Sequence, residues 1–216
     1  MVKRILFQGD SITDCKRIRE DNISMGVGYA NMVKAELGYE YPEKYEFINR
    51  GIGGNRIVDV YARIKSDIIN LQPDYMSLLI GVNDVWHELG NQYNGVSAEK
   101  FEKIYDMLIS EILKELPHIK IMILEPFVLK GAATTATEEE PNRWEYFHME
   151  VALRAEAAKR IAEKYNLPFV TLQGKFEEAC KYAKASFWLH DGVHPTPMGH
   201  WILKKEWIKA FKENWF

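Results

Sequence analysis

Apolar positions along the chain fall into two kinds of pattern that alternate from the N-terminus onward. Short continuous runs occupy residues 3–8, 45–49, 75–80, 119–125 and 168–172. Their lack of polar alternation predicts parallel strands covered on both faces. Between them, apolar residues recur at spacings of three and four. In residues 97–116, Phe101, Ile104, Tyr105, Leu108, Ile112 and Leu116 share one side, Ser97 offers an N-cap and Pro117 stops the run, which predicts a helix with one buried stripe. Residues 142–165 repeat the pattern through Trp144, Phe147, Val151, Ala155, Ala158, Ile161 and Ala162, with Asn166 placed to end the helix in a left-handed conformation. Residues 198–216 close the chain as a further helix. Strand and helix alternating in this way imply right-handed crossovers, so the expected fold is a single α/β domain over residues 1–216, a three-layer α/β/α sandwich. Its five-stranded parallel sheet is expected in the flavodoxin-like order 2-1-3-4-5.

Composition narrows the function classes. The 28 basic and 31 acidic residues give a formal net charge of −3 with no basic block, so nucleic acid is not an expected partner. Two cysteines, Cys15 and Cys180, make neither a disulfide framework nor a zinc motif. Strand-like sequence begins at Val2, and no apolar stretch approaches the roughly 18 residues of a membrane span, which points to a cytoplasmic protein without a membrane partner. A homo-oligomer is compatible with the sequence. Residues 131–141, GAATTATEEEP, combine small residues with three glutamates and predict a solvated excursion, or a lid over a site.

Ligands of such sheets bind beyond the carboxyl ends of the strands, where the loops converge. Four of these loops carry chemistry: Gly9-Asp10-Ser11-Ile12-Thr13-Asp14, the glycine-rich Asn49–Asn55, GVNDVWHE from Gly81 to Glu88, and HDGVHPTPMGH from His190 to His200. Read singly, each also fits a turn. Read together, they supply a serine hydroxyl, a histidine three residues from an aspartate, and backbone amides and a carboxamide. A serine is too weak a nucleophile near neutrality without a histidine base, and that base needs a carboxylate on its other nitrogen. Developing negative charge on the attacked carbonyl needs preorganised donors.

These blocks resemble the SGNH hydrolases, the GDSL-type serine esterases and lipases, over most of the chain. The matching segments are Gly9–Asp14, Gly51-Ile52-Gly53-Gly54-Asn55, Gly81-Val82-Asn83-Asp84 and Asp191-Gly192-Val193-His194-Pro195, with Ile12 standing where the GDSL name has leucine. The resemblance implies Ser11 as nucleophile, His194 as base and Asp191 as its orienting partner. It implies the Ser11 amide, Gly54 and Asn83 as oxyanion donors, Gly54 being taken over Gly53 because it immediately precedes Asn55. It also implies that neither a metal nor a cofactor takes part. GDSITDCKR, GIGGN, IGVNDVWHE and DGVHPTPMGH are especially similar to the intracellular acetyl-xylan esterase branch, which implies a small acylated substrate, an acetylated xylo-oligosaccharide or related sugar.

Trp86 and Trp188 stand in the loops of the expected site, where flat rings would stack on sugars, and both also suit core packing. A lipase or thioesterase of the same family acting on longer chains is the alternative activity. From a different class, a metal-dependent phosphoesterase would use Asp10, Asp14, Asp84, Asp191 and His194 as ligands. A catalytically silent binding module on the same fold is a third reading.

Overall fold

The computed structural model describes residues 2–89 and 92–216. The five apolar runs form five parallel strands, β1 (Lys3–Gly9), β2 (Tyr45–Asn49), β3 (Tyr75–Leu79), β4 (Lys120–Leu124) and β5 (Phe169–Val170), in the order β2-β1-β3-β4-β5. β1 lies between β2 and β3, with Leu6 opposite both Ile48 and Met76. The last strand is shorter than the expected residues 168–172, because only Phe169 and Val170 pair with β4.

The helices are α1 (Ser11–Asp14), α2 (Tyr29–Glu40), α3 (Ile57–Ala62), α4 (Ile64–Asp67), α5 (Val82–Trp86), α6 (Ala98–Glu115), α7 (Arg143–Lys164), α8 (Gln173–Ala179), α9 (Ala185–Trp188) and α10 (Pro197–Trp215). The side chains of β1 alternate between two cores. Ile5 and Phe7 join Leu37 of α2, Phe176 of α8 and Trp207 and Phe211 of α10, whereas Leu6 joins Val60 of α3 and Phe101, Tyr105 and Ile109 of α6. The unbroken apolar run Ile5-Leu6-Phe7 in the middle of β1 follows directly, since both of its faces are covered. α7 serves both cores, with Phe147 and Val151 in the first and Ala157, Ala158 and Ile161 in the second.

The helix ends carry their own chemistry. Ser97 caps α6 by accepting a hydrogen bond from the Lys100 amide, and Asn166, at φ 51°, turns the chain left-handed just after α7. Thr196 caps α10 and Pro197 fills its first turn, where a missing N–H costs nothing.

Candidate active site

The order 2-1-3 reverses the winding at β1, so the loop after β1 opens at the switch point of the sheet. Gly9 makes the exit possible: its φ is +157°, and a Cβ there would stand 2.3 Å from the Leu79 carbonyl oxygen. The Asp10 carboxylate then caps the single turn of α1 by accepting a hydrogen bond from Ile12 N at 3.0 Å. Asp10 is buried, and that burial pushes its carboxyl up to about 7 against the opposing pull of the Ile12 amide. Ser11 opens the turn, and its hydroxyl lines a cleft of about 840 Å³.

The partner loop joins α9 to α10. Leu189 and Pro195 form an antiparallel bridge and His190 N donates to His194 O at 3.0 Å, which closes residues 189–195 into a narrow hairpin. Inside it, Asp191 Oδ1 accepts from the amides of Val193 and His194 at 2.9 and 2.8 Å, and its Oδ2 lies 2.7 Å from His194 Nδ1. His194 Nε2 reaches Ser11 Oγ at 2.9 Å. Burial alone would raise the Asp191 carboxyl, but the hydrogen bonds from His194 and the two amides win and hold it well below the usual carboxylate range. The same Asp191 hydrogen bond raises His194 above the ordinary histidine value, with burial working the other way.

Residues 131–141 act on this hairpin. Ala133 N donates to Asp191 O, Leu129 N donates to Gly192 O, both at 2.8 Å, and buried Thr134 knots its own turn by donating to Leu129 O and accepting from Gly131 N. The first part of the stretch is therefore a brace under Asp191 rather than a solvated excursion. Thr137, Glu139 and Glu140 go on to line a second cleft of about 460 Å³ with Trp86.

The glycine loop is tied from below. Asn49 donates to Thr13 O and Met25 O at 2.7 and 2.9 Å and accepts from Gly51 N at 2.8 Å. Gly53 N is taken by Asp14 Oδ2 at 3.0 Å, whereas among the described residues no acceptor meets Gly54 N. Gly54 holds φ at +82°, a conformation that favours glycine. Asn83, in α5, donates one carboxamide hydrogen to Asn55 O at 3.1 Å and so keeps its second for another acceptor.

Arg63, which the sequence did not single out, binds three pieces of this floor. Its guanidinium reaches Asn55 Oδ1, Arg50 O and Gly9 O at 2.9, 2.8 and 3.2 Å.

Ser11, Asp191, His194, Gly54 and Asn83 thus meet at one end of the sheet. Trp86 stands beside them, its ring 5.8 Å from that of His194. Trp188 does not line either cleft; its indole N–H donates to Ala183 O at 3.3 Å and its ring meets Phe187 edge-on. The five groups considered as metal ligands are not gathered. Asp84 is fully buried and accepts from Ile57 N, Asp10 caps α1 and Asp14 holds Gly53 and Arg19. Among the described residues only His190, Asp191 and His194 bring potential ligand atoms within 4.8 Å of one another. No helix among them is long and apolar enough to cross a membrane.

Such an arrangement can pass a proton from a hydroxyl to an imidazole beside unengaged N–H donors, which is the requirement of acyl transfer. Comparison with known proteins gives the same class. The profile of the GDSL-like lipase/acylhydrolase family matches residues 7–202. An acetylxylan esterase of Geobacillus stearothermophilus is 33% identical over 221 residues, covering 99% of this chain and 95% of that protein. A crystal structure from Parabacteroides merdae, described as a GDSL-like lipase, superposes with a TM-score of 0.88 at 34% identity over 98% of both chains. A catalytic mutant of the Geobacillus stearothermophilus acetylxylan esterase Axe2 superposes with a TM-score of 0.83 at 31% identity, over 96% of this chain and 93% of that one. Catalytic mutants of Axe2 replace a serine, an aspartate and a histidine by alanine. The chain belongs to the GDSL-like lipase/acylhydrolase family and is a carboxylic ester hydrolase.

Proposed function

We propose that this hydrolase removes acetyl groups from acetylated xylo-oligosaccharides or related sugars, with Ser11 as nucleophile, His194 as base and Asp191 as the group that orients the base. One observation carries the reading: an unbroken relay from Ser11 Oγ to His194 Nε2 at 2.9 Å and from His194 Nδ1 to Asp191 Oδ2 at 2.7 Å. As Ser11 Oγ attacks the acetyl carbonyl, its proton passes to His194 Nε2. The carbonyl oxygen becomes an oxyanion held by the Ser11 amide, the Gly54 amide and the second Asn83 carboxamide hydrogen. His194 then returns the proton to the sugar oxygen, the C–O bond breaks and acetyl-Ser11 remains. Water, deprotonated by His194, attacks that ester, and acetate leaves with Ser11 regenerated. Action in the cytoplasm is part of the same reading.

The acetyl and sugar preferences are supported by the likeness to the acetylxylan esterase and by Trp86, which presents a ring at the edge of the site. In a short acyl pocket, steric overlap should outweigh the roughly 0.8 kcal/mol that each added methylene gains on leaving water. Accordingly kcat/KM should fall from acetyl to butyryl to octanoyl p-nitrophenyl esters, and acetylated xylo-oligosaccharides should release acetate. Trp86→Ala should weaken the sugar substrate more than p-nitrophenyl acetate, since only the sugar offers a ring to stack. Rates that climb with chain length would make the chain a lipase or thioesterase, and equal losses on both substrates would return Trp86 to a packing role.

A further inference from the structure

The larger cleft carries charge that a neutral acetylated sugar leaves unused. Ser11 and His194 share its lining with Lys16, Arg17 and Arg19, and among the described residues Asp14 is the one carboxylate there. That carboxylate is already committed: Oδ1 accepts from Arg17 N at 3.2 Å, while Oδ2 accepts from Gly53 N and Arg19 Nη2, both at 3.0 Å. Arg17 itself is 8% exposed. Its Nε donates to Gly51 O at 2.8 Å, and among the described residues no acceptor meets Nη1 or Nη2. A guanidinium fixed through Nε offers its two terminal nitrogens as a planar fork, which matches a carboxylate and suits few other groups as well. Burial pushes this guanidinium down, Asp14 opposes that, and Arg50, Arg19 and Arg63 add like charge, so an incoming anion would relieve repulsion as well as form hydrogen bonds.

We infer that Arg17, flanked by Lys16 and Arg19, forms an anion subsite that binds a carboxylate on the sugar part of the ester, so that the preferred substrates are acetylated oligosaccharides bearing a uronic acid. The inference rests on the reading of the chain as a sugar acetyl esterase. Arg17 here is a binding residue, with no part in the proton transfers. Because the Gly51 carbonyl fixes its Nε, the subsite is joined to the same glycine loop that presents Gly54 to the acyl group.

The test compares acetate release from two xylo-oligosaccharides of equal length and acetylation, one neutral and one with a single uronic-acid branch. In the wild-type protein at low salt the acidic substrate should have the higher kcat/KM by roughly tenfold or more, the range of a charge-assisted hydrogen bond, and the difference should lie in KM. The preference should shrink as salt is raised to about 0.5 M and approach unity in Arg17→Gln. Reading the ratio within each variant cancels any loss of folded protein. Should Arg17→Gln fail to fold, the double variant Lys16→Gln/Arg19→Gln, which leaves the Gly51 contact intact, should still reduce the ratio by roughly two- to fivefold.

Equal kcat/KM for the two oligosaccharides, or a preference unchanged in these variants, overturns the inference while acetate release from both leaves the sugar esterase reading standing. If p-nitrophenyl acetate is hydrolysed and neither oligosaccharide is, the sugar reading falls and the subsite with it. An acetylated sugar phosphate preferred over the uronic-acid substrate overturns the carboxylate assignment.

Discussion

Asn83 separates binding from catalysis most cleanly, because it is the one proposed oxyanion donor that a side-chain substitution removes. Asn83→Ala should lower kcat by roughly 10² to 10³ with KM little changed, as befits a donor that acts on charge present only in the transition state; steady-state kinetics on p-nitrophenyl acetate read both. As the proposed base, His194 should set the pH profile. The Asp191 hydrogen bond favours the charged ring and lifts it above the ordinary value of 6.5, although burial opposes this. Only the neutral ring accepts the serine proton, so kcat/KM should rise with pH to a midpoint above 6.5. Asp191→Asn should move that midpoint down and lower the plateau by roughly 10⁴, the cost of a misoriented tautomer. The contact among Ser11, His194 and Asp191 was legible in the sequence because a serine at the exit of the first strand and an Asp-x-x-His loop just before the last helix both fall at the carboxyl end of the sheet. Asn49 and Arg63 were not, since their task is to bind carbonyl oxygens of loops distant in sequence, and a single asparagine or arginine carries no spacing that announces it. Trp188 shows the opposite limit: its place beside the hairpin is plain in the sequence, but its direction is set by Ala183 and Phe187.

The brace under Asp191 turns on a close backbone approach. A Cβ at Gly131 would lie 2.4 Å from the Asp191 carbonyl carbon, so one of the two segments has to move. Gly131→Ala should therefore lower kcat, by up to about 10² if Asp191 is displaced by near 1 Å, and should also lower Tm. Gly174 in α8 is the contrasting case, with nothing within 4 Å of an added Cβ. Gly174→Ala should raise stability by roughly 0.5–1 kcal/mol in chemical denaturation and leave kcat unchanged. α6, α7 and α10 were legible because each carries a long stripe and recognisable ends. α2 was missed: its buried Tyr29, Val33 and Leu37 keep helical spacing, but Gly28 gives it no side-chain cap and Gly38 interrupts its last turn. The short helices α1, α3, α4, α5, α8 and α9 span at most seven residues each, too few for a period to stand out. For residues 131–141 the sequence showed small and acidic residues, and hid that the Ala133 amide fastens the start of the stretch to the Asp191 carbonyl.

At the scale of the molecule, five continuously apolar runs and the helices between them were enough for the three-layer architecture, since parallel crossovers of one hand leave few arrangements. Order 2-1-3-4-5 in turn places the exits of β1, β2 and β3 side by side, and the hairpin before α10 closes the fourth side of the same opening. What the pattern of apolar positions could not supply was the surface of that opening, where Trp86 faces one cleft and Arg17 lines the other. Fold and reaction class were therefore readable before substrate. The central claim is that one hydroxyl, that of Ser11, carries the acyl group, and covalent trapping tests it directly. Incubation of the folded protein with a fluorophosphonate, followed by intact-mass and peptide mass spectrometry, should show a single adduct on Ser11 together with complete loss of esterase activity. Ser11→Ala should take no label and lose on the order of 10⁶ in kcat. An adduct on another residue, or a Ser11→Ala variant that keeps most of its activity, would contradict the account.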